Sequence, residues 1–118
     1  MRDLTPYEIE CELRRLKNGL GQARERLNSR ATDYEKAARE YKGKYAKCFM
    51  TARLDKASYP TVKDCEMFAQ SESAGEEALY RATEQLVLNE RKSVDTILAE
   101  VDITRSLYAR AYEELKRS

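Results

Sequence analysis

Histidine is absent from this chain, and with it the usual general base and the commonest metal ligand. Tryptophan is absent too, and there are only two prolines and four glycines in 118 residues. A zinc site would have to use cysteines and carboxylates, and no Cys-x-x-Cys pair begins one. The three cysteines, Cys11, Cys48 and Cys65, are an odd set, which suits reduced thiols in a cytoplasm better than a disulfide framework. No apolar run approaches the ~20 residues needed to span a bilayer, so no membrane contact is expected. The first ten residues, MRDLTPYEIE, carry acids where an export signal needs an apolar core. No catalytic or metal site, cofactor or small-molecule substrate is expected, and a non-enzymatic role follows.

What the chain does have is charge and helix formers. Charged residues make up 36%, and the profile is rich in Ala, Glu, Lys, Leu and Arg. That composition belongs to long helices or coiled coils. Thr5-Pro6-Tyr7-Glu8 is a helix start: threonine caps, proline suits the first helical position, and the glutamate completes a capping box. From there Ile9, Leu13, Leu16, Leu20, Ala23 and Leu27 recur at alternating steps of four and three, which is a heptad seam. The stretch LKNGLGQ, residues 16–22, holds turn-forming residues, yet Leu20 stays in phase with both sides. A turn would reset that phase, so the helix is expected to run through it. Gly19 and Gly21 then have two readings. They let another backbone approach closely, or they are weak spots costing ~1 kcal/mol each relative to alanine.

The seam continues through Ala31, Tyr34, Ala38, Tyr41, Tyr45, Cys48 and Ala52, with a stutter at Ala23, Leu27 and Ala31. Pro60 disfavours helix at Tyr59, and Thr61 with Asp64 reads as a second capping box. A second helix carries Cys65, Phe68, Leu79, Ala82, Leu86, Val94, Ile97, Val101, Tyr108, Ala111 and Leu115, with its own irregularity at Leu86, Glu90 and Val94. Folding the chain back near residue 58 pairs positions whose numbers add to about 116, and the two irregularities then face each other. The expected fold is all-α: one domain over 1–118, a long antiparallel two-helix coiled-coil hairpin. Its helices would run over about 6–55 and 62–116, with a turn at about 56–61 and a length of ~75 Å. Residues 1–56 hold 14 Lys/Arg against 9 Asp/Glu, while residues 57–118 hold 8 against 12, so a basic helix faces an acidic one. The same rule sets Arg39 near Glu77 and Lys44 near Glu72. Cys48 and Cys65 fall close enough to pair, or to sit as small buried thiols.

Two candidate surfaces remain. Leu88, Ile103 and Leu107 lie off the second helix's main apolar stripe. They are contacts with a second copy or a protein partner, giving self-association into a bundle, or they are scattered surface residues. Residues 36–53 hold Lys36, Arg39, Lys42, Lys44, Lys47 and Arg53 against one acid, Glu40, with Tyr41, Tyr45 and Phe49 interleaved. Such cations neutralise phosphates and such rings stack on unpaired bases, so nucleic acid is the alternative partner. Against it, both tyrosines are on the seam and the chain's net charge is only +1.

The stretch YEKAAREYKGKYAKCFMTARLDKASYPTVKDCEMFAQSESAGEEALYRATEQL, with the helical residues that follow it to about 112, resembles small all-helical proteins encoded in the early regions of tailed bacteriophages. They share its order of a Tyr/Ala/Lys-rich helix, a short polar turn, a capped second helix and a last helical stretch. The resemblance implies a phage or prophage origin, a place in the host cytoplasm and work beside replication or recombination proteins. It brings no catalytic motif to any residue here.

Overall fold

The computed structural model describes residues 4–117, and among them the regular structure is helical. Helix α1 spans Pro6–Arg53, α2 spans Val62–Glu72 and α3 spans Ala74–Arg117, which are 48, 11 and 44 residues long. Both capping boxes form. The Glu8 amide donates to Thr5 Oγ1 at 3.2 Å, and the Thr5 amide donates to Glu8 Oε2 at 3.1 Å. At α2 the Asp64 amide donates to Thr61 Oγ1 at 3.1 Å, and the Thr61 amide returns to Asp64 Oδ2 at 3.2 Å. Each pair satisfies amides that the first helical turn would leave without partners. Between α1 and α2, the Asp55 side chain accepts the Ser58 amide and its carbonyl accepts the Tyr59 amide.

Helix α1 runs straight through residues 16–22, as the unbroken heptad phase predicts. Neither glycine there has a positive φ. A Cβ built on Gly19 would sit 4.0 Å from Ile97 Cδ1, an ordinary contact, and one on Gly21 or Gly43 would meet nothing within 4 Å. Close backbone approach therefore does not explain these glycines within the chain. Replacing Gly19, Gly21 and Gly43 together by alanine is expected to stabilise the protein by about 2–3 kcal/mol, because alanine restricts the unfolded chain and costs no packing. Urea unfolding of the triple variant checks this; a destabilised variant would mean that one of the three positions is closed by another backbone.

The second half departs from the single helix expected over 62–116. It breaks at Ser73, which is fully buried and closes α2 with φ −100° and ψ 11°. Its hydroxyl donates to the Ala69 carbonyl at 2.6 Å, and that carbonyl also accepts the Ser73 amide at 3.0 Å. A serine hydroxyl bonded back to the residue four before it bends a helix, and Gly75 just beyond lowers the cost of the bend.

Internal packing divides the chain into two units: Met1–Asn28 with Asn89–Ser118, and Ser29–Leu88. In the first, Arg26 meets Glu90, Ile97 lies near Gly19, and the Tyr108 hydroxyl donates to Glu10 at 3.4 Å. In the second, Tyr34 meets Tyr80 and Lys44 meets Glu76. Within each unit, numbers that rise along α1 fall along α3. The partner of Lys44 is not the one expected. Lys44 Nζ lies 3.6 Å from Glu76, one turn beyond Glu72, and the Glu77 carboxylate is held by Arg81 of its own helix at 3.0 Å.

Every seam position named for α1 is buried or half-buried, with Ile9, Leu16, Ala23 and Ala52 the most enclosed. Ala37, one residue before Ala38, is buried as well. In α3 the expected seam positions Val94, Ile97, Val101, Tyr108 and Ala111 are buried or half-buried, and the seam departs from expectation before Val94. In the Ser29–Leu88 unit it runs through Glu76, Tyr80, Thr83 and Val87, and in the other through Glu90, Val94, Ile97, Val101, Thr104, Tyr108 and Ala111. These positions alternate by three and four without interruption. The irregularity expected at Leu86, Glu90 and Val94 disappears, because the buried residue is Val87 and not Leu86. Leu79, Ala82, Leu86 and Leu115, all expected in the seam, are exposed.

Candidate functional site

The displaced seam creates the most distinctive surface of the Ser29–Leu88 unit. Leu79, Ala82 and Leu86 each stand one residue before a seam position, so they lie ~100° round the helix from it. Leu79 is 53% exposed and Leu86 38%. The inward places beside them are taken by Tyr80, Thr83 and Val87. Thr83 settles its hydroxyl on the Leu79 and Tyr80 carbonyls at 3.0 and 2.9 Å, which lets a polar side chain sit in the seam without an open donor. Leu79, Thr83 and Leu86 of α3 and Ala37 of α1 floor an open groove of about 320 Å³. Its α1 edge carries Arg30, Asp33, Lys36 and Glu40, which alternate in sign.

Rings fill the space between the helices beside that groove. Tyr80 lies between two tyrosines of α1, with its ring stacked 5.3 Å from Tyr34 and 5.5 Å from Tyr41. The Tyr80 and Tyr34 hydroxyls are 3.2 Å apart. Tyr41 continues edge-on to Tyr45, and Tyr45 stacks on Phe49 at 6.4 Å. Toward the connection the side chains become small, with Ala52, Cys65, Ala69 and Ser73 almost wholly enclosed. All three cysteines are free thiols, and Cys65 Sγ lies 4.0 Å from the Tyr59 carbonyl.

The residues singled out from the sequence fall as follows. Ile103 and Leu107 are exposed, at 62% and 40%, and each stands one residue before a seam position, as Leu79 and Leu86 do. Leu88 is exposed on the other side of its seam neighbour Val87. Gly19 is half-buried and Gly21 exposed. Lys36, Arg39, Lys42, Lys44, Lys47 and Arg53 are all exposed; Lys36 edges the groove, Lys44 is paired with Glu76, and Lys42 borders a shallow depression with Tyr41 and Tyr45. Sequence reasoning placed Leu79 and Leu86 inward. The signal against that was the four-plus-four step it required at Glu90, which vanishes when the seam is moved on by one residue.

Shifts in ionisation fall on exposed pairs. A hydrogen bond from Arg15 holds the Glu12 carboxyl below its usual range, and a bond with Cys11 raises the Tyr7 hydroxyl. The negative charge of Glu10 raises Tyr108. Among the described residues no group of three or more His, Cys, Asp or Glu is placed to hold a metal ion, and no helix is long and apolar enough to cross a membrane. The chain matches no protein-family model, and comparison with curated proteins and with solved structures returned no significant similarity.

Proposed function

We propose that the chain is a non-catalytic coiled-coil interaction protein, an antiparallel helical hairpin that self-associates into a bundle and presents helix faces to protein partners. The observation that carries this reading is the displaced seam on α3: Tyr80, Thr83 and Val87 take the inward positions while Leu79 and Leu86 face outward. Burying a leucine fully contributes about 1.5–3 kcal/mol, so a chain that turns leucines out beside a groove gains most from a second protein surface. The free thiols and the resemblance to phage early-region helical proteins support a reducing host cytoplasm and a partner drawn from host or phage replication and recombination proteins.

The alternative reading, an accessory nucleic-acid binder, is favoured by Lys42 beside Tyr41 and Tyr45 and by the exposed cations Lys36, Arg39, Lys47 and Arg53. Tyr41, however, offers one ring face to Tyr80, and Lys44 is engaged by Glu76.

Light scattering on protein eluted from an untreated lysate, with absorbance read for nucleic acid, separates the two. The expected result is a mass above the 13.7 kDa of one chain that persists as salt is raised. Apolar contacts survive salt, whereas phosphate contacts weaken steeply. A nucleic-acid absorbance that is lost with salt, from a chain otherwise monomeric, would overturn the proposal.

A further inference from the structure

The groove of the Ser29–Leu88 unit is complementary to itself. Its apolar pair, Leu79 and Leu86, is centred between Ala82 and Thr83. The charges on its α1 edge are centred near residue 35: Arg30 and Glu40 stand five residues to either side, and Asp33 and Lys36 form an inner pair centred within one residue of the same point. Reversing the direction of α1 about residue 35 therefore sets Arg30 against Glu40 and brings Asp33 to within one residue of Lys36, each a pair of opposite signs. The same reversal sets Leu79 against Leu86. The two centres lie in the same stretch of the unit, since all six residues line one groove and Tyr34 stacks on Tyr80 there.

We infer that this groove is the contact between two copies of the chain, related by a two-fold axis perpendicular to the helices and lying between the two layers. That operation stacks α3 on the partner's α3 and α1 on the partner's α1, each antiparallel, so one patch meets itself as a closed dimer requires. Leu79 and Leu86 form the apolar centre, and the alternating edge of α1 sets direction and register, as charge patterns do in helical pairs. A two-fold axis along the helices would instead set α1 against the partner's α3 and leave the Arg30–Glu40 pairs unmade. The inference rests on the proposed self-association and adds its surface, symmetry and register.

The test uses two variants, Arg30→Glu and Glu40→Arg, followed by sedimentation equilibrium at low ionic strength. Each places like charges opposite one another twice in the symmetric dimer, so each alone is expected to associate about tenfold or more weakly than wild type. Mixed in equal amounts, the two variants restore opposite signs at both places and are expected to recover wild-type association, which also shows that both are folded. Variants that associate as wild type does, or a mixture that fails to recover, would overturn the two-fold groove contact while leaving self-association standing. A wild-type mass of one chain at every concentration would overturn the self-association reading itself, and this inference with it.

Discussion

Replacing Tyr80 by alanine is expected to destabilise the protein by about 3 kcal/mol. Tyr80 is the one ring of α3 that reaches between two rings of α1, with stacked contacts at 5.3 and 5.5 Å and a hydroxyl 3.2 Å from that of Tyr34. Each aromatic pair contributes ~0.5–1.5 kcal/mol beyond the area it buries, and the lost area adds ~1.5 kcal/mol for a half-buried ring. Tyr80→Phe keeps both stacks and loses only the hydroxyl contact, so it is expected to cost about 0.5–1 kcal/mol. Tyr112→Ala is the control. That ring is 45% exposed and stacks at 6.3 Å on Tyr108 of its own helix, so its loss should change stability little. Urea unfolding followed by circular dichroism measures all three. Against the 5–15 kcal/mol that holds typical domains folded, the loss at Tyr80 is a large share. Equal effects at Tyr80 and Tyr112 would mean that the ring stack does not join the helices.

The different fates of the two long helices in the sequence reading have a physical cause. Along α1 the seam is made of Ile, Leu, Ala and Tyr, so apolar periodicity and burial coincide, and the helix could be followed through Gly19 and Gly21. Both capping boxes were legible because a cap is a local arrangement of three or four residues, settled by their own hydrogen bonds. Along α3 before Val94 the inward positions include Glu76, Thr83 and Glu90, while Leu79 and Leu86 stand one residue before inward Tyr80 and Val87. Apolarity then points to the wrong stripe. What makes the polar seam tolerable is not visible in a hydropathy pattern: Thr83 bonds its own helix, Glu76 and Glu90 extend to Lys44 and Arg26, and Tyr80 is held by two partner rings. The one-turn error in pairing Lys44 is local, since Arg26 with Glu90 and Gly19 with Ile97 keep the sum of 116 that the fold-back sets. The break at Ser73 depends on a hydroxyl chosen by burial, which composition alone does not reveal. For the candidate site, the outward position of Ile103 and Leu107 was legible from their phase, whereas Leu79 and Leu86 were concealed by the same displaced seam.

The central claim is that Val87 faces inward and Leu86 outward, and a pair of neighbouring substitutions tests it most directly. Val87 is 6% exposed and Leu86 is 38% exposed, although leucine is the larger hydrophobe. Val87→Glu puts a carboxylate at an almost wholly buried position, and a charge taken out of water there costs about 3 kcal/mol or more. Leu86→Glu puts the same group at the groove's open surface, where the expected change in the folding of dilute protein is under about 0.5 kcal/mol. Urea unfolding of the two variants, at a concentration too low for chains to associate, is the measurement to make. The account predicts a large loss for Val87→Glu and a near wild-type midpoint for Leu86→Glu. The opposite order would return Leu86 to the seam and remove the apolar stripe on which the proposed function stands.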